Sequence, residues 1–331
     1  MTALRTGWRI ALAGVSLGAL LAGCAVPPPL DTAPIEVDAS PLAAQLGANA
    51  SLQGLRIFPK SNAWNKRVDT SKVDKNSKKL IKGISGHLHA DFGANWDGGP
   101  FGIPYVVVSG SQAKVPVSFD YADESDRGPY PIPAGAPIEG GPGADGDRHV
   151  LVLDRDHKLL YELYDAHPKN GGTSWTAGSG AVFDLTTNKL RPKGWTSADA
   201  AGLPILPGLV RYDEVASGKI THAIRFTVAK TRKAYVSPAR HYASSSRSSS
   251  LPPMGMRVRL KKSFKISGYP RQARVILQAM KTYGLILADN GSNWFVSGAP
   301  DPRWDDAALN KLKKVPGSAF EVVKMGKITK R

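Results

Sequence analysis

Glycine and proline punctuate this sequence so densely that it has room for short elements and many turns, and for few helices. With 34 glycines and 25 prolines in 331 residues, both exceed average usage, which favours an all-β or loop-rich fold. Apolar alternation predicts strands at 105–108, in "KVPVSFDY", at 149–154 and 158–164, and near 222–228 and 234–237. The clearest helix is "YPRQARVILQAMKTYG", where Pro270 suits the first turn and Val275, Ile276, Ala279, Met280 and Tyr283 share a face. Shorter helices are expected around Leu80 and in "DPRWDDAALNKLKK", with a hairpin turning at Asn290-Gly291 and a last strand at 320–323. "SSSRSSS" at 244–250 reads as an exposed, mobile loop. No repeat period is visible. These signals predict a mostly β protein: a single-domain β-sandwich or jelly-roll-like fold with a few peripheral helices.

The N-terminus reads differently. Arg5 and Arg9 precede an apolar run from Ile10 to Leu21, which ends at Leu21-Ala22-Gly23-Cys24. This is the layout of a secretory signal, and its ending looks like a bacterial lipobox, in which the cysteine becomes the lipidated N-terminus. Cys24 is the single cysteine, so no intramolecular disulfide or thiolate metal cluster is available. The expected organisation is a signal peptide at 1–23, a lipidated Pro/Ala-rich tether at 24–54 and one folded domain at 55–331. Ala25 follows the cysteine, which by resemblance to sorting rules favours the outer membrane in a two-membrane cell.

Loss of Arg5 and Arg9 with the signal lowers the formal charge of +17 by two. For a basic exported protein the expected partners are the membrane, through the lipid at Cys24, and an anionic polysaccharide or cell-wall polymer, with no nucleic acid.

Beyond the expected signal, three familiar catalytic signatures are missing: G-x-S-x-G, H-E-x-x-H and a Cys-His pair. What remains is a set of polar residues beside glycine and tryptophan. His89 and Asp91 share one loop, and Glu139, Asp147, Arg148 and His149 another. Arg240, His241 and Tyr242 form a run, and Asp289 precedes a turn. Two chemistries fit. Glycoside hydrolysis needs two carboxyl groups, one protonated and one ionised; Asp147 with Asp91 or Glu139 supplies them. Elimination on an acidic glycan needs a cation for the uronate and a base for the C5 proton. Arg240 or Arg148 would serve as the cation, and His241, His149 or Tyr242 as the base. Trp96, Trp175, Trp195 and Trp294 are candidates to stack on sugar rings. A non-catalytic glycan-binding role is the third reading. His89, His149 and Asp91 lack a metal-site spacing, and neither a metal nor a cofactor is expected. The expected catalytic set is Asp147, His149, Asp91 and His241, in one cleft with ligand-binding His89, Arg148, Arg240, Tyr242, Trp96, Trp175 and Asp289.

The motifs "HADFG", "GIPYVVV", "PIPAGAPIEGG", "GDRHVLVLDRD", "WTAGSGAVFDL", "ARHYASS" and "ADNGSNWFVSG" together resemble a family of exported bacterial proteins of no established activity. The resemblance spans roughly residues 57 to 323. It implies export and a single domain, and it carries over no catalytic residues. Some members of that family are labelled nucleotide-binding, but this chain has no G-x-x-x-x-G-K-[ST] phosphate loop.

Overall fold

The computed structural model describes residues 44–330. Cys24, the signal and most of the tether lie outside the described residues. Strand accounts for 28% of residues against 16% for helix, so the protein is mostly β. Two sheets dominate. The first runs Gly47–Ala48, Tyr105–Val108, Val150–Asp154, Leu159–Tyr164 and Ser179–Asp184 across its width. The second runs Phe320–Val322, Arg257–Leu260, Leu285–Asn290, Ile224–Val228, Phe295–Ser297 and His89–Asp91.

Both faces of the first sheet are covered, which is why its strands read as unbroken apolar runs such as "VLVL". Tyr105, Val107, Leu151, Leu153 and Leu160 join the main core together with Phe226, Leu287 and Val296 of the second sheet. The alternate residues Val106, Val108, Val152, Tyr161 and Leu163 pack on Tyr130, Ile132 and Trp175 in a smaller core. A three-stranded sheet contributes Trp175 to that core, from its strand Ser174–Ala177. The helix Arg271–Thr282 buries Ile276, Leu277 and Met280 and packs against the strand Arg257–Leu260.

Three expectations need correction. The domain begins before residue 55. Ala44 and Leu52 are buried, and Gly47–Ala48 pairs with Val106 and Val107. Asp213 fixes this segment by accepting from the Leu52 amide at 2.9 Å and the Ser51 hydroxyl at 3.1 Å. Two isolated apolar residues show no periodicity, so the sequence hides their anchoring role. Second, the strands on either side of Asn290-Gly291 do not form a hairpin, because Ile224–Val228 lies between them. The connection instead wraps the end of that central strand: Gly291 N–H donates to Val228 O, and Trp294 N–H to Thr227 O. Third, the serine run is exposed in large part but tied down. Successive amides at 246, 248 and 250 donate to the serine hydroxyl two residues earlier, and the Ser244 hydroxyl bonds Thr231 O at 2.8 Å.

Leu52 is 1% exposed, so its truncation leaves a cavity. Leu52→Ala is expected to lower the unfolding free energy by about 2–5 kcal/mol. Guanidinium denaturation checks this; a change within experimental error would place the domain boundary back at residue 55.

Candidate functional site

A group of buried charged residues lies beside the main apolar core. Its centre is Arg225, on the strand "IRFTV", whose alternation sends Ile224, Phe226 and Val228 one way and Arg225 and Thr227 the other. The antiparallel pairing of Phe226 with Val296 sets Arg225 opposite Ser297, and Ser297 is in register with Asp91 on the next strand. On the other flank the register shifts between Phe226 and Thr227, so that Thr227 pairs with Asp289 after Phe226 pairs with Leu287. That bulge brings Asp289 to the Arg225 face. Arg225 is buried and binds Asp199 in two-pronged fashion at 2.8 and 2.9 Å, donates to the Ser297 hydroxyl at 2.7 Å, and reaches Asp289 at 3.5 Å.

The second pair comes from the glycine-rich loop. Glu139 and His149 bracket it, and the Glu139 amide donates to His149 O at 3.0 Å. His149 is buried, with Nδ1 2.5 Å from the Glu139 carboxylate and Nε2 3.0 Å from Ala198 O. A carbonyl only accepts, so Nε2 carries a proton; Nδ1 then donates to the ionised carboxylate, and the ring is an imidazolium. Burial alone pulls the imidazole down, but the Glu139 charge and hydrogen bond override it and raise His149 to about 9. Glu139 responds in the opposite sense: burial pushes it up, and His149 holds it below the usual carboxylate range. Asp91 is exposed at the mouth of the cleft, yet it is raised, first by desolvation from its neighbours and then by the Glu139 charge; Arg225 opposes both. Asp289 is pushed up to about 7 by burial and by Asp199. Glu162 is fully buried and also reaches about 7, despite accepting from the Ile205 and Leu206 amides.

Asp91 and Glu139 line one cavity of about 1010 Å³. Its rim carries Trp96, whose residue is 73% exposed, 6.1 Å from the Phe101 ring. Trp96 sits on a hairpin of Gly93–Trp96 and Gly99–Phe101, turned by Asp97-Gly98 with both φ positive, the geometry of a type I′ turn. Asp306 pins this hairpin by accepting from the Ala94 and Asn95 amides at 2.8 and 3.0 Å. At Gly102 the φ is +134° and an added Cβ would stand 2.4 Å from Gly298 O, so only glycine fits behind the cavity wall.

The remaining candidate residues are dispersed. Arg148, in a left-handed conformation, spends its guanidinium on the carbonyls of Pro142, Ala144 and Ala166 and so closes the glycine loop on itself. Asp147 is exposed and does not line the cavity. His89 stacks on Phe295 at 4.1 Å. Arg240 donates to Arg191 O, and His241 lies against Tyr242 with Nδ1 2.9 Å from Ala200 O; none of the three lines the cavity. The expected single cleft therefore holds Asp91 and Trp96 but not Asp147, His89 or the 240–242 run. Trp175 belongs to the cavity wall, yet it is 2% exposed and bonded to Gly172 O, so its ring offers no stacking face. Trp294 is core, sandwiched between Phe226 and Phe320. Among the described residues no group of three or more His, Cys, Asp or Glu is arranged to hold a metal. The sequence reading missed Arg225 and Asp199 as a unit; its one visible trace was a cation inside an apolar strand.

These titrations predict the pH dependence of stability. His149 lies above its unfolded value of 6.5, so its contribution is full below that pH and is lost as pH rises through about 9. Asp289 and Glu162, both raised to about 7, hold protons that the unfolded chain has already released, and this also makes stability fall with rising pH. The melting temperature is expected to decline from about pH 5 to about pH 9, with Asp289→Asn flattening the segment below about 7. A calorimetric maximum on the alkaline side would contradict the protonation states given above. Compared with protein-family models, curated proteins and solved structures, the chain matches none, so the chemistry of the site is argued from its geometry.

Proposed function

We propose that the protein is a cell-envelope glycoside hydrolase with Asp91 as general acid and Glu139 as the ionised partner. The observation that carries this reading is the opposed titration of two carboxyl groups on one cavity: Asp91 is raised and Glu139 lowered. Glycosidic cleavage needs that division of labour, one group to protonate the leaving oxygen and one to act on the anomeric carbon, directly or through water. His149 keeps Glu139 charged and fixes its orientation, as a positioning residue. Arg225 opposes the rise of Asp91, drawing it back towards its ordinary value. Trp96 and Phe101 offer apolar faces at the rim for sugar C–H surfaces. The elimination reading is less supported, because the Arg240-His241-Tyr242 run it relied on lies off this cavity.

Among the described residues Asp91 has no ion-pair partner within 4 Å, so Asp91→Asn separates chemistry from stability. Against a panel of polysaccharides, with reducing ends measured, this variant is expected to lose at least about a hundredfold in turnover. Its melting temperature should stay near that of the parent. Glu139→Gln should lose a similar factor and also stability, since it leaves buried His149 without its counter-charge. Full turnover in Asp91→Asn would sink the assignment. Binding of glycan without any turnover in the parent would favour the non-catalytic reading.

We also propose lipid anchoring at Cys24. The support is the apolar run from Ile10 to Leu21 ending at Leu21-Ala22-Gly23-Cys24; among the described residues no helix is long and apolar enough to cross a membrane. Cys24→Ser is expected to abolish palmitate labelling and move the protein to the soluble fraction; unchanged fractionation would refute the anchor.

A further inference from the structure

The chain carries a formal charge of +17, yet among the described residues the wall of this cavity contains three acidic side chains, Asp91, Asp97 and Glu139, and no lysine, arginine or histidine. Basic residues next to the wall in sequence are directed elsewhere. Arg303 pairs with Asp301 and lies 4.2 Å from the Tyr212 ring, His167 pairs with Asp165, and Lys169 is not part of the lining. The two cations nearest the carboxylates from behind are already engaged, Arg225 by Asp199 and His149 by Glu139. The acidic lining of the cleft thus runs against the net charge of the chain. A polyuronate entering it would meet the Asp97 and Glu139 carboxylates with no cation on the wall to receive it, a like-charge arrangement that disfavours such ligands.

We infer that this cleft takes a glycan bearing free amines, an amino-sugar polymer, in place of the acidic polymer that net charge alone points to. The inference rests on the cleft being the glycan site proposed above and names its substrate class. Asp97 and Trp96 are neighbours on the hairpin tip, where a carboxylate and an exposed indole face together suit an ammonium group: one by charge, the other by cation–π attraction.

The test uses the full chain and three defined probes: a glucosamine hexamer, its fully N-acetylated counterpart and an oligogalacturonate, with binding followed by calorimetry at low and high salt. The glucosamine hexamer is expected to bind tightest and to weaken as salt rises, with the galacturonate weakest. Asp97→Asn should lower affinity for the glucosamine hexamer about two- to fivefold, the range of an exposed charge pair, and leave the N-acetylated hexamer little changed. Tighter binding of galacturonate, equal salt-independent binding of all three, or no binding of the glucosamine hexamer at low salt would overturn the inference. Turnover is read separately. Preference for the amine probe without cleavage would remove the hydrolase reading and keep the charge preference; cleavage with a galacturonate preference would do the reverse.

Discussion

Arg225 is the interaction on which the rest of the site depends. A guanidinium this deeply buried persists only because its donors are satisfied, by Asp199 twice, Ser297 and Asp289. Removing either member of the Arg225–Asp199 pair would leave an uncompensated buried charge, worth about 3–5 kcal/mol of lost stability. The pair also sets geometry. Asp199 lies in a short segment whose flanking carbonyls, Ala198 O and Ala200 O, hold the rings of His149 and His241. Fixing Asp199 therefore fixes the backbone that orients His149, which in turn orients Glu139 at the cavity.

The same group explains why protons stay where water would remove them. Asp91, Glu139, Glu162, Asp199 and Asp289 surround two cations, Arg225 and His149. With more acids than cations in a region of low dielectric, some carboxyl groups keep their protons. Asp289 and Glu162 do so near neutrality, and Asp91 shifts in that direction. Glu139 escapes because His149 is dedicated to it. Acid and base roles are thus separated by partner assignment within one cluster of like groups.

Local signals in the sequence foretold local structure. The hairpin between Val150–Asp154 and Leu159–Tyr164 and the helix Arg271–Thr282 fall where alternation and helical period placed them. Non-local choices were hidden. Nothing in "LILADNGSNWFVSG" says that a strand some sixty residues earlier will insert between its two halves, because its turn signal is satisfied equally well by wrapping that strand's end. Asp91 was legible as a polar residue close to Gly93, although the stretch expected to be a loop is the short strand His89–Asp91. Glu139 was visible only as an alternative, and Asp147 drew attention through the same glycine-rich context without facing the cavity. Glu162 and Arg225 were obscured by apolar neighbours, where a single charged residue in a strand gives no clue to its partner.

The shifted register beside Phe226 has a further implication, for parity. Side chains along a strand alternate between two faces, and the extra step at Ala288 exchanges them once. Ile286 and Asp289, three positions apart, end on the same side; without that step an odd spacing would put them on opposite sides. The strand therefore encodes an apolar stretch and an acid for one face in a spacing that regular pleating forbids. Loss of the bulge at unchanged length, with Ala288 pairing Thr227, would keep the composition of the strand yet turn the Asp289 carboxyl to the opposite face and empty its place beside Arg225. Deleting Ala288 would instead restore regular pleating and leave the acid where it is, so the register at this point carries information that substitution alone does not probe.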